Sequence, residues 1–175
     1  MATDLARVTR HVTGDFFTPT FRITGRVGVG NSGLVGLLND ATYSILTFHD
    51  VYLSRILEPG KIVAHYEIAY MAKSAFEMAV LQKREDLGPA AALRGGYARV
   101  QEHAVMVATD TFEITGTIEQ PGRFEAEAIL SPGAGVTIGV YEATAMATDR
   151  PEVTYSGGGV LVNRNSITVV CNKEA

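Results

Sequence analysis

An eight-residue segment that occurs twice constrains this chain more than any other feature of its sequence. Residues 18–25 read TPTFRITG and residues 109–116 read TDTFEITG, so six of eight positions are identical at a separation of 91 residues. The same separation places 72–80 on 163–171, which share few identities but have a similar alternation of apolar and polar side chains. One spacing that fits both ends of a unit of about 60 residues indicates an internal duplication.

The repeated segment has the pattern of a β-strand with one solvated face. Phe21 and Ile23 alternate with Arg22 and Thr24, which is the period of two that a half-buried strand requires. Phe21 and its counterpart Phe112 are therefore both predicted to be buried. Because short alternating segments of this kind recur between Gly and Pro turns, each half is interpreted as about five short strands with one leucine-rich helical turn.

The end of each half has an ambiguous composition that the repeat resolves. Residues 71–83 are rich in Ala and Met and could form a helix by propensity, whereas their counterpart 160–173 is rich in Val and Ile. A strand is therefore predicted for both, and the segments 61–82 and 160–171 are each treated as one long strand. The fold class that follows is mainly β, with tandem duplicated small β-barrel or β-sandwich units.

A break in the alternation separates the two halves. Residues 83–97 contain several charged residues together with Gly-Pro and Gly-Gly pairs, and they lie where a duplication requires a connection. The predicted organisation is a first β unit at 1–83, a linker at 84–98 and a second β unit at 99–175.

A short leucine-rich segment follows the first copy of the repeat. Residues 33–39 read GLVGLLN, with leucines at helical spacing and an asparagine suited to a helix end. Together with the strand FHDVY at 48–52, this segment resembles small uncharacterised bacterial β-rich domains in which a leucine-rich turn ends in Asn. The resemblance covers only part of one half, and it implies a β-rich fold and no activity.

The sharpest motif is a glycine-rich loop, GVGNSG at 28–33, which matches the dinucleotide-binding pattern G-x-G-x-x-G. It follows a predicted strand and precedes the helical segment, and Asp50 on the next strand could take a ribose hydroxyl. The preceding strand alternates instead of being continuously apolar, however, and the second half has no equivalent glycines. The alternative function is therefore a nucleotide- or dinucleotide-binding protein that uses Gly28, Gly30, Gly33 and Asp50.

Other reactive side chains do not converge on a catalytic pattern. His49 and Asp50 are adjacent on a predicted strand and so point to opposite faces, whereas His65 and Glu67 share one face and could hold a metal ion or a proton. A solvated polar pair is the commoner reason for such a spacing. The single cysteine, Cys171, excludes an internal disulfide and a cysteine zinc cluster, and we interpret it as an inert thiol. No catalytic residue, cofactor or metal ligand is assigned.

Charge and hydropathy limit the classes of partner. The net charge of −4, the absence of tryptophan and the lack of a basic stripe argue against nucleic acid, so a nucleic-acid-binding small barrel is the third hypothesis. The N-terminus lacks the apolar core of a signal peptide, and no apolar run approaches the ~18 residues of a membrane span. A cytoplasmic protein is expected.

The leading functional hypothesis comes from the apolar composition. Hydrophobic residues make up 46% of the chain and charged residues only 19%, which favours strand edges and faces buried against another copy. We therefore predict a non-catalytic structural or interaction protein that acts through homo-oligomeric, β-rich assembly.

Overall fold

The computed structural model describes residues 10–88, 99–131, 133 and 135–173, which form ten β-strands and two short α-helices. The helices are α1 (Gly33–Asn39) and α2 (Ala126–Leu130). The strands are β1 (Arg10–Phe17), β2 (Phe21–Val29), β3 (Ile45–Arg55), β4 (Glu58–Ala72), β5 (Met78–Leu81), β6 (Val100–Thr109), β7 (Phe112–Pro121), β8 (Thr137–Ala147), β9 (Arg150–Asn163) and β10 (Ile167–Asn172). The predicted mainly β class is confirmed. No helix in these ranges is long and apolar enough to cross a lipid bilayer.

All ten described strands belong to one antiparallel sheet in the order β10-β6-β7-β8-β9-β5-β1-β2-β3-β4. The strands β1 to β4 form one meander and β6 to β9 form another, and β5 lies between β1 and β9. Of the predicted β-barrel or β-sandwich units, the β-barrel is wrong, because the sheet is not closed: β4 and β10 each pair on one side only within the described ranges. The boundaries 1–83, 84–98 and 99–175 stay a prediction. Arg84–Leu87 forms a 3-10 helix, and 89–98 lie outside the described residues.

The predicted single strands at 61–82 and 160–171 are each broken by a 3-10 turn. The turns are Lys73–Ala75 and Arg164–Ser166, again 91 residues apart. After each turn the chain leaves the last strand of its meander and pairs with the first, so that β5 lies on β1 and β10 lies on β6. One uninterrupted strand could not reach both positions, which is why the prediction of unbroken strands was wrong.

Strand register also recurs at this spacing. Gly14 of β1 lies opposite Leu81 of β5, and Val105 of β6 lies opposite Asn172 of β10. Each residue of the second pair is 91 positions after its counterpart in the first pair.

The first threonine of each repeated segment closes a tight turn. The Oγ1 atom of Thr18 accepts a hydrogen bond from the Phe21 amide at 3.0 Å, and that of Thr109 accepts one from the Phe112 amide at 3.0 Å. A side-chain oxygen that binds the following backbone in this way favours a turn. The repeated threonine therefore specifies the turn that enters β2 and β7.

The closing glycine of each repeated segment lies opposite a β-bulge. The register shifts around Gly25 between β2 and β3, and around Gly116 between β7 and β8. The bulged strands contain Asp50 with φ of 53° and Glu142 with φ of 45°, the two non-glycine residues with positive φ in the described part of the chain. A Cβ atom at Gly116 would lie 2.6 Å from the Tyr141 carbonyl oxygen, so the bulge requires glycine here.

Each half has its own hydrophobic core, and β5 contributes to both. Ala79 and Leu81 pack in the core of the first half, whereas Met78 and Val80 pack in the core of the second half. Alternate residues of a strand point to opposite faces, so the position of β5 between the two meanders buries both of its faces.

The two copies of the repeated strand differ in burial. Phe112 is fully buried, with its ring centroid 5.3 Å from that of Phe17 and 6.2 Å from that of Tyr155. Phe21, predicted to be equally buried, is only half-buried, and the guanidinium of Arg55 lies 5.5 Å from its ring centroid. The prediction for Phe21 was wrong because Phe112 lies at the junction between the halves and Phe21 does not.

Candidate functional site

The junction between the two halves is a short antiparallel ladder between β5 and β9. The four β5 residues are each at most 2% exposed. The opposed pairs are Met78 with Val162, Ala79 with Leu161, Val80 with Val160, and Leu81 with Gly159. Hydrogen bonds from the backbone and apolar contacts on both faces therefore hold the halves together.

A buried carboxylate, Glu77, extends this junction. Its backbone carbonyl accepts from the Asn163 amide at 2.8 Å, and its carboxylate accepts from Thr109 Oγ1 at 2.6 Å and Thr111 Oγ1 at 3.1 Å. Burial raises the pKa of Glu77, and the two threonine hydroxyls offset part of that effect. Glu77 thus links the end of the first half to the repeated segment of the second.

We expect the Glu77→Gln variant to lose part of the pH dependence of stability. The folded-state pKa of Glu77 is raised above its unfolded value. Its contribution to the free energy of unfolding is therefore most favourable at acidic pH and falls as the pH rises through the folded-state pKa. Glutamine keeps an acceptor for the threonine hydroxyls and cannot ionise. Urea unfolding from mildly acidic to neutral pH should show a flatter profile for the variant. Glu127→Gln, at an exposed position, controls for the loss of one negative charge. If the free energy of unfolding depends on pH equally in the wild type and in Glu77→Gln, the raised pKa of Glu77 is contradicted.

The outer edge strands are exposed at positions whose counterparts in the junction are buried. Tyr70 on β4 is 70% exposed, whereas Leu161, 91 residues later, is 1% exposed. Val169 on β10 is 48% exposed, whereas Met78, 91 residues earlier, is fully buried. The edges therefore present side chains equivalent to those that meet inside the molecule.

Large apolar and aromatic side chains are exposed around the β4 edge. We call this set the β4 surface, and it comprises Ile62, Val63, Tyr66, Ile68 and Tyr70. An exposed apolar patch on a protein surface usually marks an interaction site. Ile45 and Tyr52 on the neighbouring β3 are exposed as well.

Edge protection of the kind that natural strands use is confined to the start of β4, which contains Pro59 and Lys61. From Ile62 to Ala72, β4 contains no proline or lysine, and its charged or basic side chains are His65 and Glu67; β10 contains no proline and no acidic or basic residue. Edge strands that must remain unpaired usually carry lysine, proline or a covering element. The second part of β4 and the whole of β10 therefore lack this protection.

The predicted glycine loop begins within β2 and packs against another part of the chain. Gly28 lies within β2 opposite His11, and the Gly30 carbonyl accepts a hydrogen bond from the Gly33 amide at 3.1 Å. Gly33 has φ of +65°, and a Cβ atom on it would lie 2.6 Å from the Gly88 Cα. Glycine at position 33 is thus explained by close packing against the chain itself.

The strands around that loop differ from those of a dinucleotide fold. The pair β2 and β3 is antiparallel and α1 has seven residues, whereas a dinucleotide site lies between parallel strands joined by a crossover helix. Nucleotide binding through Gly28, Gly30, Gly33 and Asp50 stays a prediction, and thermal unfolding with NAD, ATP or cyclic dinucleotides measures it.

The structure brings Asp50 to His65 rather than to its neighbour His49. Asp50 Oδ1 lies 2.9 Å from His65 Nε2, and the His65 ring stacks on Tyr52 with centroids 4.4 Å apart. This contact crosses from β3 to β4, so only a known strand register could have revealed it. Cys171 is exposed on the β10 edge. No three His, Cys, Asp or Glu side chains group as metal ligands in the part of the chain described.

Comparison with known proteins gives no match: no protein-family model, no curated protein and no solved structure is significantly similar to this chain.

Proposed function

We propose that this chain is an internally duplicated β protein that acts without catalysis, by assembling with copies of itself through the edges β4 and β10. One observation carries the proposal. The strands that end the sheet on its two sides, β4 and β10, are the counterparts of β9 and β5, which pair in its middle. A molecule built in this way has a surface for pairing at each end.

Three features support the duplication. The 3-10 turns at Lys73–Ala75 and Arg164–Ser166 and the pairing of β5 and β10 with the first strands of their meanders recur at a spacing of 91 residues. Both halves also have a bulge opposite the glycine that closes the repeated segment. The shared turns and strand pairing at a spacing of 91 residues, together with the matching bulges, support a common origin of the two halves.

The apolar side chains at the edges favour association energetically. Removing apolar surface from water contributes about 25 cal/mol per Å², and a stable contact usually buries at least about 1,000 Å² in total. Ile68 and Tyr70 of the β4 surface supply large exposed side chains for such a contact. Because β4 and β10 are different strands, a contact between them is heterologous, and repetition gives rings or filaments.

Light scattering over a range of concentrations tests the proposal. We expect a mass that is a multiple of the 18.7 kDa chain, and we expect Tyr70→Lys to shift the protein toward the monomer. Tyr70 is already exposed, so the variant should fold normally. Leu130→Lys is the matched control, because Leu130 is 49% exposed and lies on α2, which is part of neither edge strand. A stable wild-type monomer at micromolar concentration would contradict the proposal and leave nucleotide binding as the leading hypothesis.

A further inference from the structure

We infer that β10 of one copy adds to β4 of the next copy, antiparallel and in the register of the internal β5–β9 junction. The inference rests on the proposed self-assembly and names the strands and residues that meet. Its basis is that each of the two strands has a counterpart already paired within the chain.

The register follows from the junction by the spacing of 91 residues. Each β9 residue is replaced by the β4 residue 91 positions earlier, and each β5 residue by the β10 residue 91 positions later. The resulting pairs are Met71 with Val169, Tyr70 with Val170, Ala69 with Cys171, and Ile68 with Asn172 of the neighbouring copy.

The side chains that this register brings together are complementary. Val169 and Tyr70 are exposed in the single chain, and their counterparts Met78 and Leu161 are buried at the junction. Three of the four pairs contain only apolar, aromatic or thiol side chains, which are suited to a buried ladder. The fourth, Ile68 with Asn172, lies at the end of the ladder.

The contact also accounts for the exposure of Phe21. Phe112 in the second half packs against the ring of Phe17, which belongs to the first half and lies across the junction. The residue 91 positions after Phe17 is Ala108, so Ala108 of the neighbouring copy lies over Phe21. The half-buried ring of Phe21 becomes covered in the assembly, with a smaller partner than Phe112 has.

The hydroxyl contacts around Glu77 have a counterpart as well. Glu77 accepts from Thr109 and Thr111 within the chain. The spacing of 91 residues places Thr168 of one copy beside Thr18 and Thr20 of the next. An uncharged hydroxyl replaces the carboxylate there, so the contact between copies lacks the ionisable group of the internal junction.

On the N-terminal side of Ile68, the contact between copies no longer matches the internal β5–β9 junction. The junction continues through Gly157 and Gly158, and a Cβ atom at Gly157 would lie 2.3 Å from the Leu81 carbonyl oxygen. At these positions β4 has Tyr66 and Glu67. Side chains there prevent the same close approach, so the ladder between copies is confined to 68–71 and 169–172.

A disulfide reports this register because Cys171 is the only cysteine in the chain. In the inferred ladder it faces Ala69 of the neighbouring copy. Opposed residues of antiparallel strands have Cα atoms about 4.5–5.5 Å apart, which is within the range that a disulfide spans. Ala69→Cys is a conservative change at a half-buried position, so the variant should fold.

The experiment is oxidation of the purified Ala69→Cys protein with diamide, followed by a non-reducing gel. We expect a ladder of covalent dimers, trimers and larger multiples, since each copy contributes the introduced thiol at one end and Cys171 at the other. The double variant A69C/C171S should give no ladder. Ala72→Cys is the matched control, because it makes the same substitution on β4 at an exposed position that lies three residues from Ala69 and so faces the opposite side, away from Cys171.

The outcomes separate this inference from the proposed function. Oligomers by light scattering combined with no ladder from Ala69→Cys, or with faster cross-linking of Ala72→Cys, overturn the register and leave self-assembly standing. Covalent dimers without larger species overturn the head-to-tail arrangement. A monomer by light scattering overturns both the register and the proposed function.

Discussion

Replacing Phe112 with alanine lowers the free energy of unfolding by about 3–5 kcal/mol, the range for removal of a buried aromatic side chain. Phe112 is fully buried between Phe17 and Tyr155, so the substitution leaves a cavity at the junction of the two halves. The same substitution at Phe21 should cost about 1–2 kcal/mol, because its ring is half-buried and contacts Arg55.

Urea unfolding of both variants at low protein concentration measures this difference. Repeating the measurement at higher concentration adds a second check. Association stabilises the folded chain by mass action, so the cost of Phe21→Ala should increase as neighbouring copies cover residue 21. Equal costs for Phe21→Ala and Phe112→Ala at low concentration would contradict the difference in burial.

The Leu161→Lys variant should be destabilised by more than about 3 kcal/mol, because it places an unpaired charge in the interior. Leu161 is 1% exposed and lies opposite Ala79 in the junction, within the core of the first half. The counterpart substitution Tyr70→Lys, 91 residues earlier, should leave stability within about 0.5 kcal/mol, as is usual for surface positions.

Urea unfolding and light scattering on this matched pair separate folding from association. Leu161→Lys should lower the free energy of unfolding measured with urea. Tyr70→Lys should leave that free energy nearly unchanged and should reduce the mass measured by light scattering. If Tyr70→Lys unfolds like Leu161→Lys, the β4 edge has a folding role that its exposure does not indicate.

The sequence contained enough local information to predict the strands and the repeated segment. The alternation around Phe21 and Ile23 predicted β2, and the second copy predicted β7 with the same start. The physical reasons are local as well, because Thr18 closes its own turn and Gly25 lies opposite the bulge. The β-rich counterpart predicted a strand rather than a helix at 71–83, and strand is found at 71–72 and 78–81, on either side of the Lys73–Ala75 turn.

Contacts between distant residues could not be predicted in this way. The pairing of β5 with β9, the bond of Asp50 with His65 and the close approach of Gly33 to Gly88 all depend on tertiary geometry. The alternation of apolar and polar residues identifies a strand, but it does not show which other strand pairs with it. The 3-10 turns that break the two long segments could not be predicted for the same reason. They are required only because the chain after each turn pairs with the first strand of its meander.

The location of β5 has a consequence for how the molecule unfolds. Its side chains alternate between the core of one half and the core of the other, so melting either half removes the support from one face of the strand that completes the other. A single four-residue strand therefore couples the two cores, and we expect the two halves to unfold as one cooperative unit.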